Sequence, residues 1–230
     1  MSLAMSSSQP SRIPHRLAHR LSLPALALVS AVLLSGCFTG QRPHFADDNP
    51  FDRGSPTGDA AIDAVLVKLD AVTAGPVAAS YDVLTKFGNA NRPASVQLDG
   101  SNRSIQIGEV RYIKTDTLDV TCTIGNNPPC VEGWKPEAIS DTLLTVDFYA
   151  PATAARLRRD AAAALAPGVG SAETLAGLPA TCVQVTLPGG TAKYCVLDNG
   201  LVALLDDGDV RVSLMITLDV IDPAQFAEPL

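Results

Sequence analysis

Three residue types could do chemistry in this chain: histidine, cysteine and the carboxylates. The only histidines are His15, His19 and His44, all near the amino terminus. The region that reads below as folded therefore has no imidazole for general-base work or metal binding. Aspartate and glutamate are plentiful, 24 in all, yet no pair stands out by its spacing. "DDGD" at 206–209 lacks the alternating ligands and distal Glu of a calcium loop, and it reads as a polar hairpin turn. Gly168-Val169-Gly170 lacks the third glycine of a dinucleotide loop and follows a helix instead of a strand. Asn102-Arg103-Ser104 matches a glycosylation triplet that arises often by chance. A carboxylate-only hydrolase is the enzyme reading left open. The expectation is a protein that is not an enzyme, with no catalytic residues, metal or cofactor.

Cysteine is more informative. Cys37 ends the stretch Leu34-Ser35-Gly36-Cys37, which follows fourteen mostly apolar residues, "LSLPALALVSAVLL". A membrane-spanning helix needs about 20 such residues, and this run also contains Pro24. Arg12, Arg16 and Arg20 precede it, with no acidic residue. A basic segment, a short apolar core and small residues at the exit describe a secretory signal peptide. The tetrapeptide resembles the lipobox of bacterial lipoproteins, in which the thiol receives a diacylglyceryl group and the chain is cut just before it. An ordinary signal peptide with a chance cysteine is the alternative. Two acyl chains anchor stably where one does not. Residues 1–36 are thus expected to be a lipoprotein signal peptide. Lipidation of Cys37 would tether the exported chain to the outer face of the cell membrane, in the cell envelope.

Export sets the redox state of Cys122, Cys130, Cys182 and Cys195. An oxidising compartment favours two disulfides, and local spacing selects one pairing of the three possible. "CTIGNNPPC" closes a short turn-rich loop between Cys122 and Cys130. "CVQVTLPGGTAKYC" is a hairpin centred on Pro188-Gly189. If Leu187 opposes Gly190, Cys182 opposes Cys195 at a position where side chains approach closely. A four-cysteine zinc site is the rival, but it usually wants two-residue knuckles.

The elements that hold these residues follow from periodicity. Residues 38–58 are rich in Pro, Gly and Asp and show no period, so residues 37–58 read as a lipidated cysteine and flexible tether. Residues 59–73 place Ile62, Val65, Leu66, Leu69 and Val72 at helical spacing behind Thr57 or Asp59 as cap. A second helix is expected over 151–165, opening with Pro and ending at Pro167-Gly168. Between the two halves, "PEAISDTLLTVDFYA" reads as a further helix or a loop. Strand patterns occupy "ASYDVLTKF", "ASVQLDG", "SIQIG", "VRYIKTD" and "LDVTCTI", then "AETLAGL", the cysteine hairpin and "LVALLDDG". The longest is "DVRVSLMITLDVID", where Val210, Val212, Leu214, Ile216, Leu218 and Val220 alternate with polar residues. That pattern predicts one buried face over the whole run. The fold class is α+β: a curled antiparallel sheet of about ten strands, with helices covering its concave face.

Charge excludes one partner class. Without its first 36 residues the chain keeps 194 residues and a net charge of −10. Only Arg156, Arg158 and Arg159 cluster, and they read as a solvated helix face. A nucleic-acid surface would need far more cationic density.

The lipobox, tether, leading helix, antiparallel sheet and mid-chain helical insertion together resemble the lipoprotein-carrier superfamily of bacterial envelopes. That group includes the LolA/LolB carriers and the mycobacterial LppX/LprG-type lipoproteins. The segment "LAGLPATCVQV…KYCVLDNGLVALL" is similar to uncharacterised actinobacterial-type members. The resemblance implies a half-barrel over residues 59–230 that holds acyl chains in an apolar cavity. The expected function is a membrane-anchored binder or carrier of a lipid or other apolar ligand. Val83, Leu144, Phe148, Val212, Leu214, Ile216 and Leu218 are the expected lining. The alternative is a non-catalytic envelope interaction module with a solid core, whose protein partner the sequence does not identify.

Overall fold

The computed structural model describes residues 51–229. The expected signal peptide, Cys37, the three histidines and most of the expected tether lie outside the described residues.

Eleven strands form one antiparallel sheet: β1 (Val77–Thr85), β2 (Ala90–Asp99), β3 (Asn102–Ile107), β4 (Val110–Lys114), β5 (Asp119–Thr123), β6 (Cys130–Glu132), β7 (Val169–Leu175), β8 (Leu178–Leu187), β9 (Gly190–Leu197), β10 (Val202–Asp206) and β11 (Val210–Leu218). Their spatial order is β6-β5-β4-β3-β2-β1-β11-β10-β9-β8-β7. Two meanders are thus joined where the first strand pairs with the last, and the sheet does not close, because β6 and β7 form opposite edges. Among the described residues two α-helices accompany it, α1 (Ala60–Asp70) and α2 (Pro151–Ala162), with short 3₁₀ turns at Phe87–Asn89, Pro136–Thr142 and Pro223–Phe226.

This order forces the chain between β6 and β7 to travel from one edge of the sheet to the other. Its contacts trace the route. Trp134 packs edge-on against Tyr112 of β4, with centroids 5.8 Å apart, and Lys135 N–H donates to Thr121 Oγ1 of β5 at 2.9 Å. Thr85 of β1 donates to the Thr142 carbonyl. Phe148 meets Tyr81 of β1 edge-to-face at 5.2 Å. Val202 N–H of β10 donates to the Tyr149 carbonyl at 2.8 Å. Leu165 N–H reaches the Thr186 carbonyl of β8 at 2.9 Å.

Helix α1 forms where expected. Asp59 caps it, Oδ1 accepting from the Ala61 and Ile62 N–H groups. Ile62, Val65, Leu66 and Leu69 are buried in the same apolar cluster as the sheet. The helix packs against β7, β8, β9 and α2. The β9–β10 turn "DNG" docks on its far end. Gly200, at φ +83°, lies so close to Val72 that a Cβ would sit 2.5 Å from the Val72 Cα, and Thr73 N–H donates to the Asn199 carbonyl at 2.9 Å. Only glycine fits there.

Three expectations are corrected. First, residues 53–58 are fastened to α1: Asp70 accepts from Gly54 N–H, and Asp63 accepts from the Thr57 and Gly58 N–H groups. Carboxylates on the helix order the end of the segment that composition read as tether. Second, Arg158 is buried, 3% exposed. It donates to Asp70 at 2.5 and 3.3 Å and to the Ser55 carbonyl at 2.9 Å.

Third, the alternation of β11 does not keep one face. Tyr81 pairs with Leu214 but Ser80 pairs with Ile216, which leaves Met215 as an unpaired extra residue. Such a bulge reverses which side chains face inward. Val210, Val212 and Leu214 are buried, whereas Ile216 and Leu218 are 50% and 52% exposed on the opposite face.

Candidate functional site

Both disulfides are formed as the spacing predicts. Cys122–Cys130 joins β5 to the edge strand β6, with Cα atoms 3.9 Å apart. Cys182–Cys195 joins β8 to β9 with a Cα separation of 4.0 Å, and Leu187 opposes Gly190. Glu173 lies near the second pair. However, those sulfurs are bonded to each other and Glu173 pairs with Lys193 at 2.6 Å, so no open ligand set results. The Lys193 hydrogen bond holds the Glu173 carboxyl below its ordinary range.

Of the seven expected lining residues, Leu144 and Phe148 come together at a cleft. Val83, Val212 and Leu214 sit in the contiguous core, packed by neighbouring side chains, and Ile216 and Leu218 lie across the sheet. The cleft holds about 320 Å³ between the crossover segment, α2 and β10. Leu144, Phe148 and Leu205 form its apolar floor, and Ala152, Ala155, Arg156 and Arg159 supply one wall. Those four wall residues recur at helical spacing, a signal that could have been read from the sequence. Pro151 starts α2 in the first turn, where a missing N–H costs nothing.

The two arginines differ. Arg156 forms an ion pair with Asp207, whose Oδ1 also accepts from the Asp209 and Val210 N–H groups at 2.8 and 3.0 Å. Arg159 is exposed and has no hydrogen-bond or ion-pair partner among the described residues. Leu143 stands at the lip in the left-handed region, φ +59°, where a Cβ-bearing residue is strained.

Carboxylates do gather nearby. Asp160, Asp207 and Asp209 line a neighbouring cleft of about 360 Å³ with Arg156. Asp160 accepts a hydrogen bond from the Tyr194 hydroxyl, whose pKa burial raises above the ordinary tyrosine value, with the Asp160 charge adding to the effect. Asp207 is committed to its turn and to Arg156. Two of these three carboxylates are therefore occupied by the fold itself.

No protein-family model matches this chain, and no curated protein matches it. No helix among the described residues is long and apolar enough to cross a membrane.

Proposed function

We propose that the protein is a non-catalytic, lipid-anchored envelope protein that binds an apolar or amphipathic ligand at the cleft under α2. In this reading Cys37 carries the anchor and the crossover with α2 lies over the concave side of a half-barrel. One observation carries the reading: an apolar floor of Leu144, Phe148 and Leu205 opens beneath a wall bearing Arg159, which has no side-chain partner among the described residues. Burial of an acyl segment contributes about 0.8 kcal/mol per methylene. Arg159 would add a charge-assisted hydrogen bond to an anionic head group. A volume near 320 Å³ falls at the small end of ligand sites, about 300–1,000 Å³. It suits one short tail, or the end of a longer one.

A second reading, an interaction module with a solid interior, is favoured by the packing of Val83, Val212 and Leu214 into the contiguous core. Titration of the non-acylated chain (Cys37→Ser) with a fluorescent long-chain fatty acid, beside lipid mass spectrometry of its extract, separates the two. Saturable binding is expected, abolished by Ala155→Trp, which fills the cleft, and weakened about tenfold by Arg159→Glu, near 1.4 kcal/mol. A lipid-free extract with no saturable titration favours the interaction module.

A further inference from the structure

The opposite face of the sheet carries a larger depression that the cleft reading does not use. It holds about 700 Å³ and is lined by Ser80, Asp82, Ser95, Gln106, Arg111 and Met215, among others. We propose that this trough is a binding site for a neutral oligosaccharide.

The sheet register builds it. Ser80 opposes Ser95, Ser95 opposes Gln106, and Gln106 opposes Arg111. Four polar side chains thus form a row across β1, β2, β3 and β4, spaced about 4.8 Å from strand to strand. The backbone groups of these central strands are taken up by ladders on both sides, so recognition falls to side chains.

Some of those side chains are locked and others are free. Arg111 donates to Gln106 Oε1 through Nε at 3.0 Å and Nη2 at 2.8 Å, while Gln106 donates to the Gly108 carbonyl at 2.9 Å. The guanidinium is therefore held in place, with no hydrogen bond from Nη1 among the described residues and the Asp222 charge acting on it. The Asp82 carboxylate and the Ser80 and Ser95 hydroxyls have no hydrogen-bond or ion-pair partner among the described residues. One wall comes from the carboxy-terminal segment, which folds back across the face. Asp222 N–H donates to Gln97 Oε1 at 2.7 Å, and Gln225 donates to Asp222 at 3.2 Å.

The chemistry narrows the ligand. Asp82 balances Arg111 in the lining, and the Asp222 carboxylate on the wall, taken up by Ala224 and Gln225, adds negative charge that opposes an anionic ligand. Hydroxyl, amide, carboxylate and guanidinium groups side by side suit a ligand whose groups both donate and accept, as sugar hydroxyls do. Met215 and Pro93 offer apolar contact for the C–H face of a ring. A polar floor disfavours acyl chains. The site lies across the sheet from the cleft under α2 and stands whether or not that cleft binds lipid.

The test uses the full chain in a non-glycosidic detergent, titrated by calorimetry and ligand-observed NMR with cellotetraose and chitotetraose. Saturable binding of at least one is expected. Asp82→Ala and Arg111→Ala should each weaken it about tenfold or more, and Ser80→Trp, at an exposed position, should abolish it. Ala155→Trp, in the other cleft, should leave it unchanged. The proposal is overturned if neither sugar binds at up to about 10 mM, or if binding survives Ser80→Trp.

Discussion

The two meanders of this sheet are supported in different ways. The carboxy-terminal one, β7–β11, lies against both helices: α1 packs on β7, β8 and β9, and α2 packs on β8. Val183, Val185, Ala192, Tyr194, Val196 and Val202 are all fully buried there. The amino-terminal meander instead receives irregular chain: the crossover, through Trp134 and Lys135 on β4 and β5 and through Thr142 and Phe148 on β1, and the carboxy-terminal turn on β3 and β4. Its far edge relies on a satellite cluster of Ile113, Val120 and Cys122. Each meander carries one disulfide near its edge, yet the surroundings of the two bonds differ. One half is backed by α-helices, and the other by irregular segments and its own hairpins.

The largest expected effect probes the helical side. Arg158 and Asp70 tie α2 to α1 within a buried ion pair, and Arg158 also holds Ser55. Arg158→Ala leaves Asp70 without its main partner, and denaturant unfolding should show a loss of about 3–5 kcal/mol. The double variant Arg158→Met with Asp70→Leu should recover much of that loss, because no uncompensated charge remains. A loss below about 1 kcal/mol in the single variant would mean that the helices contribute little to the carboxy-terminal half.

Next come the disulfides. Cys122–Cys130 spans a separation of 8 and Cys182–Cys195 one of 13. Chain entropy alone separates such loops by only ~0.4 kcal/mol, so packing must decide any larger difference. Cys182 and Cys195 are 1% and 2% exposed, whereas Cys130 is half-buried on a three-residue edge strand. Replacing both residues of each bridge with Ala should cost more for Cys182–Cys195, near the upper end of about 2–5 kcal/mol. Loss of Cys122–Cys130 should instead appear as fast hydrogen exchange confined to β5 and β6. Equal global losses would break the contrast between the two halves.

Much of this contrast was legible from the residues. Helix α1, both disulfides and the hairpin register follow from spacing, because caps, turns and cysteines act locally. What escaped has physical causes. The β11 pattern runs unbroken through Met215, and a bulge changes pairing without changing the pattern, so Ile216 and Leu218 read as buried. Strand β6 is three residues long, too short for a period to show. Arg156, Arg158 and Arg159 read as one charge cluster by their spacing, yet on a helix positions 156 and 158 point about 200° apart. They cannot share a face, so one of them had to turn inward. At the cleft, the expected lining includes Leu144 and Phe148 but not Leu205 or the α2 wall. Which strand the crossover meets depends on the order of the sheet, which no local window contains.

The smallest effect concerns the join between α1 and β7. Besides capping α1, Asp59 Oδ2 accepts from the Gly168 N–H at 2.6 Å, just before β7 begins. That hydrogen bond, ahead of those from Ile62 and Ala61, lowers the carboxyl pKa below its ordinary 3.8. A group that ionises more readily when folded stabilises the protein above its unfolded pKa, and the contribution fades as pH falls through the folded value. Asp59→Ala should therefore lose about 1 kcal/mol at neutral pH, and Asp59→Asn less, since it keeps an acceptor. Below pH 3.8 the wild type should converge on the variants as its own carboxylate protonates. Hydrogen exchange in Asp59→Ala should quicken at the start of α1 and in β7, leaving β2–β6 unchanged. An even increase over both meanders would show that this carboxylate supports the whole sheet and not the helix-backed half alone.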